Sequence, residues 1–385
     1  MTNLVIFASD AKGTSSLNSI INEANNMGIN LFVMVCQDTQ LRYPTHHKDR
    51  FEILTNVDSS EKIWSKSLNT FLPFKPDWLI IQRERWEPET SIILEFKQSF
   101  GCKIGVVEQN AAFLNTVESY LENKSKNKLV PLIDIFFDHS EFIQQQRKLL
   151  NFKGNSLVVG NPKYDINLDV DKSQLEYLNK KYKVDSKKKQ VLFFTLTNSS
   201  REELFKCFIK FKNENPSYQY FIKPFPGEPF SDQYKNDYFP KFKIEGITPI
   251  LDETDIWGMF NICDIHVGAL SSIFYPGLLL NKTMIDYSKE IGMRDRYTDP
   301  TPILESKGIG LEDKAELWMR VFNLKSKKEL QEILSPENLT PAFEKNKVAW
   351  DAMDNGNILN LFDNFNDKKA CSRIINYIIN ETNLL

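Results

Sequence analysis

The stretch Cys263-Asp264-Ile265-His266-Val267-Gly268-Ala269-Leu270-Ser271-Ser272-Ile273-Phe274-Tyr275-Pro276-Gly277-Leu278-Leu279-Leu280-Asn281-Lys282 decides the fold. It reads as a short buried strand, a Gly-Ala turn, two serines and an apolar helix. The paired hydroxyls fall where a helix starts. Backbone N–H groups lack partners there, and the helix dipole favours negative charge. Such a corner can bind a phosphate or pyrophosphate. The same serines also suit plain N-capping, and this segment alone does not choose between the two.

Upstream of it, strands and helices alternate from Gln190 onward. Val191–Thr195 reads as a strand, Arg201–Asn213 as a helix, and Tyr218–Lys223 as a strand that runs into Pro224-Phe225-Pro226. Lys241–Glu245 alternates like an edge strand, and Asp255–Asn261 like a helical turn. Downstream, Thr283–Asp286 is a strand. The tail from about Leu311 reads as mostly helical, including Lys327–Leu334 and Lys368–Ile379.

The first half alternates in the same way. Strands are expected at Leu4–Ala8, Asn30–Cys36, Trp78–Gln82, Lys103–Val107, Ile133–Phe137 and Ser156–Val159, with helices at Leu17–Met27 and Ser91–Phe100. Such alternation implies parallel sheets with helices on both faces. The expected class is α/β: two Rossmann-like domains facing an interdomain cleft, followed by a helical C-terminal tail. The boundaries read as 1–155, 156–340 and 341–385, with the last helices packing back on the first domain.

Ligands of such sheets bind beyond the carboxyl ends of the strands. That rule selects Ser9–Ser16, Gln82–Trp86 and Glu108–Asn110 in the first half. Glu108 follows the strand Lys103–Val107 directly and is placed to act as a general base on an acceptor hydroxyl. It could equally cap a helix or pair with Arg83 or Arg85. Arg83, Arg85 and Asn110 are candidate contacts to an acceptor or nucleotide. In the second half, Lys223 and the pair Ser271/Ser272 follow strand ends. If those strands are parallel, a lysine and two hydroxyls share one rim suited to a diphosphate. His266 is a further candidate donor contact, although a core histidine fits its apolar strand as well.

Composition excludes several classes. The 385 residues are 41% hydrophobic and 26% charged, with net charge −3, so no global basic field points to nucleic acid. Runs such as Lys187-Lys188-Lys189 read as solvated loops. No apolar stretch is long enough to span a bilayer. Met1-Thr2-Asn3-Leu4-Val5-Ile6-Phe7 lacks the basic start of a signal peptide. The five cysteines are scattered, with no CxxC pair. A cytoplasmic protein is expected, compatible with work at the inner face of a membrane. No DxD motif or His/Cys cluster calls for a metal, and no cofactor is expected.

Three motifs in order resemble those of bacterial GT-B glycosyltransferases of surface polysaccharides and the related CDP-glycerol glycerophosphotransferases. Gly160-Asn161-Pro162-Lys163-Tyr164-Asp165 is similar to the G-x-P-x-x-D turn that opens the second domain in these proteins. Ile222-Lys223-Pro224-Phe225-Pro226 sits where the family has K-x-H-P. Asp264 to Lys282 resembles its D-x-x-x-S/G-x-x-S-S block. In the first half, Val107-Glu108-Gln109-Asn110 is similar to the acidic strand-end motif of sialyl- and Kdo-transferase-like enzymes.

The resemblance implies a metal-independent transfer. A CMP- or UDP-linked sugar would pass to a hydroxyl of a cell-surface or lipid-linked glycan. Ser271, Ser272 and Lys223 would hold the donor phosphate, and Glu108 would act as base. Phe225 stands where the family has a histidine that contacts donor phosphate, and Thr283 stands in place of the proline of the family's N-K-P. Three other readings stay open: a glycerol- or ribitol-phosphate transferase on a teichoic-acid-like polymer, a UDP-sugar 2-epimerase-like enzyme, and a non-catalytic GT-B binding subunit.

Overall fold

The computed structural model describes residues 1–8, 14–36, 51–54, 72–82, 87–107, 126–141, 143–144, 154–165, 170–195, 201–224, 239–252, 255–268, 274–287, 333–334 and 363–384. The chain divides into two compact units. The first holds Met1–Ile166 with Ala352–Asp354 and Asn360–Leu385, and the second holds Asn167–Asp351 with Asn355–Leu359.

The first unit is built on seven parallel strands: β1 (Asn3–Ala8), β2 (Asn30–Cys36), β3 (Phe51–Leu54), β4 (Trp78–Ile81), β5 (Lys103–Val107), β6 (Ile135–Asp138) and β7 (Ser156–Val158). They lie in the order β3-β2-β1-β4-β5-β6-β7. β1 lies between β2 and β4, in register Phe7 with Met34 and with Ile81. The strands are apolar on both faces. Leu4, Ile6, Trp78 and Ile80 face one core cluster, and Val5, Phe7, Leu79 and Ile81 face the other.

Helix α1 (Thr14–Asn26) presents Leu17, Ile20, Ile21 and Ala24, spaced i, i+3, i+4, i+7, to the first cluster. Gly28, at φ +71°, takes the left-handed turn that follows the helix end. Helix α2 (Glu87–Phe100) covers the other face through Ile92, Ile93 and Phe96.

The second unit has six strands: β8 (Gln190–Phe194), β9 (Gln219–Lys223), β10 (Ile247–Pro249), β11 (Ile265–Gly268), β12 (Thr283–Asp286) and β13 (Ile333–Leu334), in the order β10-β9-β8-β11-β12-β13. Among the described residues only the β12–β13 pair is antiparallel. Its helices among the described residues are α3 (Lys172–Lys181), α4 (Arg201–Glu214), α5 (Phe239–Ile244), α6 (Ile256–Ile262) and α7 (Phe274–Leu279). Val191 and Phe193 pack with α4, whereas Leu192 and Phe194 pack with α6. Lys181 and the Tyr182 hydroxyl both donate to Asp255 at 2.6 Å, which fastens α3 to the start of α6.

Three expectations are corrected. Lys241–Glu245 lies in α5 and the turn after it, and the edge strand is β10, just beyond Gly246. Ile333 and Leu334 pair with β12 as a strand instead of ending a helix. Ser156–Val158 pairs with β6 in the first sheet, so the division falls at 166/167 and not at 155/156.

The last helix, α8 (Ala370–Asn383), belongs to the first unit. Cys371, Ile374, Ile375 and Ile378 repeat the i, i+3, i+4, i+7 stripe of α1 and enter the same cluster. Ser372 donates to Glu23 of α1. At the other end of α8, Thr382 accepts from the Trp78 indole at 3.2 Å and Glu381 pairs with Lys103 at 2.8 Å. Its N-terminus is held by Asp165, which accepts the N–H groups of Ala370 (3.1 Å) and Cys371 (2.5 Å). The G-x-P-x-x-D turn is therefore an anchor for the tail.

Asp363 is buried beside this anchor, and its Oδ1 accepts from Phe365 and Asn366. Burial pushes its carboxyl above the ordinary value of 3.8, against those hydrogen bonds, and nearby Asp165 adds to the rise. A raised folded value means that the protonated form favours the fold. That stability is fully present below 3.8 and is lost as pH rises through the folded value. Asp363→Asn keeps the accepting oxygen without the charge. It is expected to raise Tm at pH 7, and the gain should vanish near pH 3.8 in a pH series of thermal melts.

Candidate functional site

In each sheet the strand order reverses beside its first strand, and crevices for ligands form at such switch points, outside the carboxyl ends. The first sheet reverses between β1 and β4, and the second between β8 and β11.

On the second sheet the register places Lys223 opposite Phe194 and aligns Val267 with Phe193, so the ends of β9, β8 and β11 form one edge. The Lys223 carbonyl accepts from Thr195 N–H at 3.2 Å, while its ammonium donates to the Pro224 carbonyl at 3.3 Å. Gly268 ends β11 at the switch point. A Cβ there would lie 3.3 Å from Phe194 Cβ, a tight contact, so the two central strands approach each other closely at Gly268. Ser271 and Ser272 lie outside the described residues, in the connection from Gly268 to Phe274.

His266 is placed differently from a donor contact. It is fully buried on β11, edge-on to Phe194 and to Phe260, with ring centroids 5.8 and 4.7 Å away. Neither ring nitrogen makes a hydrogen bond of normal geometry among the described residues. Burial, helped by the charge of Lys282 and only weakly opposed by the Phe260 backbone, lowers its pKa to about 3. The imidazole is therefore a neutral core ring.

On the first sheet the corresponding edge is lined by buried polar side chains. Gln82 follows β4, Asp138 ends β6, and His139 and Ser140 follow it; all four are at most 1% exposed. Asn161 accepts the Lys163 N–H through Oδ1 at 3.2 Å, which turns its amide nitrogen towards His139 Nδ1 at 3.2 Å. His139 Nδ1 then accepts, so the proton sits on Nε2. Val107 ends β5, fully buried, and Glu108 is the next residue in the chain. Glu108, Asn110, Arg83 and Arg85 themselves lie outside the described residues. Among the described residues no group of three or more His, Cys, Asp or Glu could hold a metal ion, and no helix is long and apolar enough to cross a membrane.

Solved structures share this architecture over the whole chain. The MnaA–UDP co-structure from S. aureus matches with a TM-score of 0.59 at 14% identity, covering 100% of this chain and 98% of that one. The chain has the GT-B fold. The wall teichoic acid polymerase TagF matches this GT-B chain with a TM-score of 0.54 at 12% identity, over 98% of it and 89% of TagF. The UDP-GlcNAc 2-epimerase from Neisseria meningitidis, bound to UDP-GlcNAc, matches with a TM-score of 0.54 at 12% identity, over 99% and 100%. No protein-family model matches the chain, and no curated protein matches it by sequence.

Sequence reasoning reached Lys223 through its strand-end position. It passed over Gln82 as an individual residue, although a polar residue in phase with Trp78 and Ile80 was a usable signal. It assigned no role to His139, whose burial no local pattern announces.

Proposed function

We propose that this GT-B chain transfers a sugar from a nucleotide-activated donor, CMP- or UDP-linked, to a hydroxyl of a cell-surface glycan. The observation that carries the reading is the carboxyl edge of the second sheet. There the switch point, Gly268 against Phe194 and the end of β9 at Lys223 lie on one edge, and the sequence from Gly268 to Phe274 contains Ser271 and Ser272. In this reading the two serine hydroxyls hold the donor phosphates, and Lys223 offsets the negative charge that grows on the departing nucleotide. Glu108 takes the proton of the acceptor hydroxyl. The acceptor oxygen bonds to the anomeric carbon, and the nucleotide leaves with the electron pair of the broken C–O bond. The transfer proceeds without a metal.

Calorimetric titration with CMP, CDP, UDP and GDP, with and without Mg²⁺, tests this. One nucleotide is expected to bind tightly whether or not Mg²⁺ is present. The double substitution Ser271→Ala/Ser272→Ala should weaken it about 10- to 100-fold, the range for hydrogen bonds to a charged group, and Lys223→Ala about tenfold. Selective binding of CDP would turn the assignment towards glycerol- or ribitol-phosphate transfer. Conversion of a UDP-sugar without any acceptor would turn it towards epimerisation. Failure to bind any of the four would leave a non-catalytic relative.

A further inference from the structure

Six of the ten residues at positions 180–189 are lysines: Lys180, Lys181, Lys183, Lys187, Lys188 and Lys189. The only acid among the ten is Asp185, so six positive charges against one negative give the stretch +5, in a chain whose net charge is −3. All six lysines are exposed. Lys181 pairs with Asp252 and Asp255, and the other five hold no ion pair among the described residues.

The structure pins this stretch. Gln190 starts β8, and its side chain donates to the carbonyls of Asp185 at 2.7 Å and Lys188 at 2.5 Å. Gln219 starts β9, accepts the Asp185 N–H at 2.7 Å and donates to the Lys183 carbonyl at 2.9 Å. The Asp185 carboxylate accepts the Lys187 N–H at 3.0 Å within the same turn. Lys183 occupies, at φ +50°, the left-handed position after α3 that glycine usually takes. The lysines therefore share the amino end of the second sheet, opposite the edge where Phe194 and Lys223 lie side by side. Fixing the backbone beneath so many like charges costs self-repulsion, which an opposing negative surface relieves.

Two apolar side chains border the lysines. Tyr177 is 57% exposed, with the Lys181 ammonium 5.4 Å from its ring centre. Leu251 is 48% exposed and precedes Asp252, which accepts from Lys181 at 3.4 Å.

We propose that this end of the second unit docks on an anionic bilayer, with the lysines against the headgroup phosphates and Tyr177 and Leu251 in the headgroup layer. Clusters of four to eight basic residues suit such a surface. All six cations are lysines. An ammonium is a point charge that needs no fixed partner geometry, as a fluid lipid surface requires, whereas a guanidinium fork suits ordered phosphates and bases. Exposed Leu251 gains nothing from a soluble polyanion. The inference is independent of the transferase reading, and docking at the amino end leaves the carboxyl edge of the sheet uncovered.

The test is co-sedimentation of the full chain with vesicles of phosphatidylcholine alone, and of phosphatidylcholine mixed with phosphatidylglycerol, at low and high salt. Wild type is expected to bind the mixed vesicles at low salt, to release at high salt, and to ignore phosphatidylcholine. Lys187→Gln/Lys188→Gln/Lys189→Gln should weaken binding about fivefold per lysine, about a hundredfold in all, with an unchanged melting temperature. Lys187→Arg/Lys188→Arg/Lys189→Arg keeps the charge and should bind like wild type. No binding to the mixed vesicles at low salt would overturn the inference, as would a glutamine variant that binds like wild type. Binding to a single-stranded oligonucleotide without binding to the vesicles would overturn it too, and would give the face to nucleic acid.

Discussion

Replacement of Glu108 by Gln is expected to lower turnover by about a hundredfold to ten thousandfold, the usual worth of a general base. Nucleotide affinity should not change, because the donor groups proposed here all lie on the second unit. Strand β5 leads directly to Glu108 in the sequence. Its residues Ile104, Val106 and Val107 are buried, and its carboxyl end is aligned with Ile81 of β4 and Phe137 of β6. That end of β5 is the edge where ligands of such sheets collect, and Glu108 is the next residue in the sequence. A carboxylate there can accept a proton, while a carboxamide of the same size cannot. Turnover with Glu108→Ala should recover in part when formate is supplied, since a small carboxylate can occupy the vacated space. If Glu108 instead only pairs with Arg83 or Arg85, Glu108→Gln would lower the melting temperature and leave turnover nearly intact.

What the sequence disclosed followed the strength of its periodic signals. Asn30–Cys36, Lys103–Val107 and Thr283–Asp286 were legible residue for residue, as apolar runs bounded by polar or turn residues. Lys241–Glu245 misled because five alternating residues fit either period. The outcome is visible in exposure: Phe242 is 1% exposed and Ile244 83%. Two residues apart, they would share a face of a strand, but they lie on nearly opposite sides of a helix. β3 was missed because four residues, Phe51–Leu54, carry too little pattern to stand out from their polar neighbours. The boundary shifted because the pairing of β7 with β6 is a long-range choice that the local sequence of Ser156–Val158 does not encode. At the site, strand-end logic placed Lys223 correctly on a rim. It could not tell that His266, two residues before Gly268, turns into the aromatic core.

Gly160→Ala should destabilise the first unit by about 2–4 kcal/mol, because two independent costs fall on one methyl group. Gly160 holds φ +90°, in the region that residues with a Cβ rarely adopt. The added carbon would also meet Asp363 Oδ1 at 2.8 Å and the Ala370 Cβ at 3.3 Å. Neither neighbour is free to move. Asp363 accepts from Phe365 and Asn366, and Ala370 is held through its N–H by Asp165. Arg373, 3.6 Å from the same point, donates to the Val159 carbonyl at 3.0 Å and lies 3.8 Å from the centre of the Phe365 ring. The substitution would thus press on the start of α8, whose Ile374, Ile375 and Ile378 complete the core shared with α1. A melt should show the loss as a fall of about 4–16 °C, at the 2–4 °C per kcal/mol expected for a unit of this size. The comparison that isolates the cause is Asp363→Ala combined with Gly160→Ala. Removing the carboxylate should relieve the contact and leave the backbone strain, so the double variant should lose less than the sum of the two single ones. Strict additivity would mean that backbone strain alone sets the cost and that the contact with Asp363 contributes nothing.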